Sequence, residues 1–106
     1  MQWTKITSIE AGDRGPGKYD ILRLAMYRSG NRYRATAEEE YGQSQGGALH
    51  PDGSRTTEGR GDSAEGAVGI IRADVTMWQA EDAARMHEWR TALRQLVYAT
   101  EDAETE

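Results

Sequence analysis

Arginine and tyrosine interleave along one stretch of this chain: Arg23, Tyr27, Arg28, Arg32, Tyr33 and Arg34, with no acidic residue between positions 21 and 37. A guanidinium offers a planar fork of donors and stacks on phenol rings, a combination suited to a protein hot spot or an RNA strand. The same side chains can also satisfy one another across paired strands. Tyr27 with Arg34 and Arg23 with Glu38 would each contribute a few tenths to about 1 kcal/mol.

A second feature is acidic. Residues 1–60 carry nine Lys/Arg against eight Asp/Glu, whereas residues 61–106 carry four against ten. Asp62, Glu65, Asp74, Glu81, Asp82, Glu88 and the closing run of residues 100–106 concentrate the net charge of −5 in the C-terminal part. A duplex binder usually shows a basic excess, which this chain lacks. A negative surface instead suits a protein partner that itself handles nucleic acid, because it competes for the same arginines and lysines.

Material for catalysis is sparse. Glu38-Glu39-Glu40 puts two carboxylates on one face of a strand, and pairing with Arg23 accounts for them more simply than general acid–base work. His50 sits beside Pro51, and His87 has no second histidine four residues on, so no three or four ligands are spaced for zinc. Cysteine is absent, which removes disulfides, thiolate metal sites and thiol nucleophiles. Neither glycine-rich loop ends in the Gly-Lys-Thr of a P-loop, and the Asp of Arg60-Gly61-Asp62 reads as a helix cap. These residues predict no catalytic, metal or cofactor site.

Several elements must position these groups. Thr and Ile in residues 2–10 suit a strand, although Trp3, Ile6 and Ile9 recur at three-residue steps. Residues 11–17 form a loop. The strongest β signal spans 18–41, where Gly30-Asn31 at a two-residue turn pairs Arg28 with Tyr33, Met26 with Ala35 and Leu24 with Ala37. One face then carries Leu22, Leu24 and Met26 opposite small alanines, and the other is mixed and polar, as in a sheet covered on one side. Residues 42–61 read as a flexible Gly/Ser-rich loop with a short edge strand near Arg55–Glu58.

Asp62 has the residue type of an N-cap, with Glu65 completing a capping box. Ala64, Val68, Ile71, Val75 and Trp78 mark one helical face, predicted to cover the Leu22/Leu24/Met26 face. A second start at Thr76 with Gln79 favours two helices over one, and Met86, Trp89, Leu93 and Leu96/Val97 carry the spacing to about residue 99. Glu81 and Arg85 form an i, i+4 pair. The expected fold is therefore a single α+β domain. Its antiparallel sheet of three to four strands is built on the 18–41 hairpin, one or two C-terminal helices (63–99) pack on one face, and residues 100–106 form an acidic tail.

Within Tyr19–Trp78 the order is strand, tight turn, strand, loop, short strand and helix start, the last written Gly59-Arg60-Gly61-Asp62-Ser63-Ala64-Glu65. This segment resembles the β-β-β-α core of HicB-type antitoxins and related double-stranded-RNA-binding-like domains. Gly66 and Gly69 depart from that pattern, and no helix-turn-helix or ribbon-helix-helix segment follows residue 79, so autorepressor activity does not carry over. In size, acidity and lack of cysteine the chain is also similar to phage-borne inhibitors of the anti-CRISPR type.

These readings lead to a non-enzymatic inhibitor that occludes a nucleic-acid-processing enzyme or complex. The alternatives are a homo-oligomeric assembly protein, or a small RNA-binding domain using the Arg/Tyr hairpin. The modest apolar content, 37%, makes a homodimer a ready way to bury more surface. No run approaches the roughly 20 apolar residues of a membrane span, and the N-terminus lacks an apolar leader, so a cytoplasmic protein without membrane contact is expected.

Overall fold

The computed structural model describes residues 2–105. Four strands, β1 (Thr4–Asp13), β2 (Gly17–Ser29), β3 (Arg32–Gln45) and β4 (Ala48–Gly61), precede two helices, α1 (Ala64–Met77) and α2 (Ala83–Glu104). The strands pair antiparallel in the order β1-β2-β3-β4, so each neighbour in the sheet is a neighbour in sequence. Both helices lie on one face, giving an α+β fold of two layers with the other sheet face uncovered.

The central hairpin follows from its turn and its alternation. Gly30 supplies the positive φ at the tip, Ser29 pairs with Arg32, and Arg28, Met26 and Leu24 face Tyr33, Ala35 and Ala37. Leu22, Leu24, Met26, Ala35 and Ala37 are buried in one cluster with the helices. The three-residue spacing of β1 is resolved by a bulge. The register shifts between Lys5 and Thr7, which lets Ile6 and Ile9 both pack on the core from a single strand.

The structure corrects the reading of residues 42–61 as a flexible loop. β3 continues to Gln45, Gly46 and Gly47 turn the chain with positive φ, and β4 pairs with β3 along its length. What holds β4 is backbone proximity rather than apolar side chains. Gly59 is buried, and a Cβ there would stand 2.7 Å from the Ala67 carbonyl oxygen, so α1 lies almost directly on the strand.

The helix caps and cover differ from expectation by small shifts. Ser63, not Asp62, caps α1, its hydroxyl accepting from the Gly66 amide at 3.0 Å. Asp82, not Thr76, caps α2, accepting from the Arg85 amide at 3.0 Å, so the break falls later. Glu81 therefore lies before α2, and Arg85 pairs with Glu88 at 2.8 Å instead. α1 buries Ala64, Ala67, Val68, Ile71 and Val75 over β3 and β4, while α2 buries Trp89, Leu93, Leu96 and Val97 over β1 and β2. The Leu22/Leu24/Met26 face is thus shared between two helices. Residues 100–104 are not a tail but the last turn of α2, with Thr100 fully buried.

Candidate functional site

The densest polar cluster lies at the edge of the core, where the α1–α2 connector meets the sheet. Strand alternation turns Glu39 away from Glu38 and Glu40 and onto the face of Ala35 and Ala37, where its side chain is completely buried. Both of its oxygens are engaged. Oε1 accepts the Arg55 fork at 2.6 and 3.1 Å, and Oε2 accepts from Trp89 Nε1 and Gln79 Nε2, each at 2.7 Å. Arg55 stacks over the Tyr41 and Trp78 rings at 5.1 and 6.0 Å from their centroids.

The same Gln79 amide donates to Asp20 Oδ2 at 2.7 Å, and Asp20 Oδ1 is buried without a partner. Burial, then the charge of Glu39, push the Asp20 carboxyl up to about 6. A concavity of about 840 Å³ opens beside this node, bounded by Tyr41, Asp52, Trp78 and Glu81. With every Glu39 oxygen taken by a donor, this carboxylate is arranged to hold Arg55, Gln79 and Trp89 in place. Among the described residues, no three His, Cys, Asp or Glu side chains are grouped to hold a metal ion. His50 and His87 stand exposed on β4 and α2.

The six Arg/Tyr residues of the hairpin do not form one patch, because alternation divides them. Arg23, Tyr27 and Arg34 lie on the uncovered face. Arg23 bridges Glu38 at 3.1 Å and Glu40 at 3.2 Å, and Tyr19 donates to Glu40 at 2.7 Å, which holds the Glu40 carboxyl below its ordinary value. Arg34 stacks on Tyr27 at 4.8 Å and on Trp3 at 5.3 Å, while Arg60 approaches Trp3 from β4 at 5.5 Å. Glu58 lies 3.6 Å from Arg34 and 3.7 Å from Arg60.

Arg28 and Tyr33 turn toward the helices, whereas Arg32 shares the alternation of Arg34. Arg28 pairs with Glu104 and stacks on Tyr33, whose hydroxyl donates to Glu104 at 2.7 Å and is pushed up by that bond. Arg32, at the tip, reaches Asp62 at 3.2 Å. The cross-strand contacts expected of Tyr27 with Arg34 and Arg23 with Glu38 are both present. Trp3 completes the arginine–aromatic stack, and its spacing with Ile6 and Ile9 does not join it to Arg34 or Arg60.

Of the acidic candidates, Asp82 works as a helix cap, and Glu88 accepts from the Gly12 amide at 3.0 Å and pairs with Arg85. Glu81 remains exposed on the rim of the 840 Å³ concavity. Glu65, Glu101 and Asp102 are exposed as well, on the outside of the helical layer. The uncovered sheet face, by contrast, balances Lys5, Arg23, Arg34 and Arg60 against Glu10, Glu38, Glu40 and Glu58. No helix among the described residues is long and apolar enough to cross a membrane. No family model, curated protein or solved structure matches the chain.

Proposed function

We propose that this chain is a non-enzymatic inhibitor that binds a nucleic-acid-processing enzyme or complex and occludes its substrate site. The observation that carries the reading is the segregation of charge between layers. The stretch that forms the sheet, residues 2–61, is nearly neutral, and residues 62–105, which form and flank the helices, hold nine carboxylates against four arginines. A surface of that sign attracts the arginines and lysines with which such a partner holds phosphates, and it steers association at low salt. Mass action then suffices for inhibition without turnover.

The full engagement of Glu39 supports a structural rather than a catalytic use of this buried carboxylate. Direct RNA binding through the hairpin is the weaker reading, because the arginines are split between two faces and paired with carboxylates.

The test is capture from nuclease-treated host lysate with the tagged chain. Retention of a nucleic-acid-handling protein is expected, weakened about tenfold or more by Glu81→Lys combined with Glu101→Lys and Asp102→Lys, and by rising salt. Retention that is indifferent to these reversals, or salt-sensitive binding of naked RNA or DNA in its place, overturns the proposal.

A further inference from the structure

The uncovered sheet face carries an ordered charge pattern. Across the four strands, one row of paired residues reads Lys5, Tyr27, Arg34 and Arg60. The next reads Ser8, Ala25, Thr36 and Glu58, and the third Glu10, Arg23, Glu38 and Thr56. The first row is positive, the middle row small except at the β4 edge, and the third carries two carboxylates around one arginine. Most of these residues line one shallow concavity of about 740 Å³.

We propose that a second copy of this chain closes that face, the two sheets packed about a two-fold axis that lies in the interface and crosses the strands at the Ser8–Ala25–Thr36 row. Such an axis keeps each strand facing its own counterpart and exchanges the rows on either side. On β1, Lys5 then meets Glu10 of the second copy. On β2, Tyr27 meets Arg23, a ring against a guanidinium, and on β3, Arg34 meets Glu38. Each match occurs twice.

Along the axis, serine, alanine and threonine let the sheets approach to the roughly 10 Å usual for face-to-face packing. The like-charged Glu58 pair falls at the β4 edge, where Arg34 and Arg60 flank each carboxylate at 3.6 and 3.7 Å. Four strands about 4.8 Å apart, overlapping for some eight residues, would bury on the order of 500 Å² per copy, about 1,000 Å² in all. That is the lower bound for a specific interface. The alternative two-fold, parallel to the strands, would set the positive rows against each other.

This assignment uses the face opposite the acidic helical layer and stands apart from the inhibitor reading. Its test is sedimentation equilibrium of the full chain. Lys5 makes no ion pair among the described residues, so reversing it disturbs little within one copy. A dimer is expected, weakened about tenfold by Lys5→Glu or by Glu10→Lys and recovered toward the parent by the two together, because the swap restores the pair across the axis. Circular dichroism confirms that each variant is folded. A chain monomeric at about 200 μM overturns the proposal, as does a double variant no stronger than the singles. A dimer dispersed only by Ile70→Asp, a change at an exposed apolar residue on α1, would place the contact on the helices and overturn it equally.

Discussion

Asp20 and Glu39 share one amide, and that arrangement sets the pH behaviour of this corner of the molecule. The Asp20 carboxyl is raised from 3.8 to about 6, first by burial and then by Glu39, so folding favours its protonated form. Its contribution is therefore full at pH below 3.8 and is lost as pH climbs through about 6. Asp20→Asn is expected to flatten that part of the stability–pH curve. It should also raise stability at pH 7.5 by about 1 kcal/mol, a fraction of the full shift because water reaches a half-buried carboxylate. Urea midpoints of parent and variant between pH 4 and 8 check this. Glu39→Ala acts in the opposite direction, leaving Arg55, Gln79 and the Trp89 N–H without their acceptor, for a loss of about 3–5 kcal/mol by the same measurement. The position of Glu39 was legible in principle, since strand alternation puts it with Ala35 and Ala37. Its partners were not, because Arg55, Gln79 and Trp89 come from three other elements and no local pattern joins them.

Glycine has opposite meanings in two of the elements. Gly59 on β4 lies under α1, so Gly59→Val should push the helix off the strand and cost about 2–3 kcal/mol. Gly69, in α1, has open space beside it: a methyl group there would meet nothing within 4 Å. Gly69→Ala should therefore stabilise the helix by about 0.5–1 kcal/mol. Thermal denaturation of the two variants gives Tm shifts of opposite sign if this packing is right. The same glycines explain what was hard to read. The 18–41 hairpin announced its register through Gly30-Asn31 and its alternation. β4 looked like a loop because one of its faces is polar and the other is glycine beneath a helix. The cap of α1 missed by one residue, since Asp62 and Ser63 are both capping types. The last turn of α2 was hidden because Glu104 is anchored by Arg28 and Tyr33, far away in sequence.

At the scale of the whole molecule, both helices and strands β1, β2 and β3 share one core cluster, with β4 paired to β3 along its length, which predicts a single cooperative transition. Trp89 is fully buried in that core, whereas Trp3 lies outside it, stacked with Arg34 and Arg60. Tryptophan fluorescence and far-ultraviolet circular dichroism of the parent chain should report coincident urea midpoints. Separate midpoints would mean that the fold does not melt as one unit. The class of fold and its single core followed from hydrophobic periodicity. The division of labour, α1 over β3 and β4 and α2 over β1 and β2, did not, because two similar apolar stripes fit either half of the sheet.

The order β1-β2-β3-β4 also has a consequence for biosynthesis. Each strand meets its neighbour as soon as it leaves the ribosome, and hairpins close in roughly 1–10 μs. The stretch from Gly61 to Glu104 takes seconds to add at about 5–20 residues per second. During that interval the nascent sheet stands with Leu22, Leu24 and Met26 bare. Ribosome-arrested chains stopped at Met77 should therefore recruit holdase chaperones, whereas chains released at full length should not.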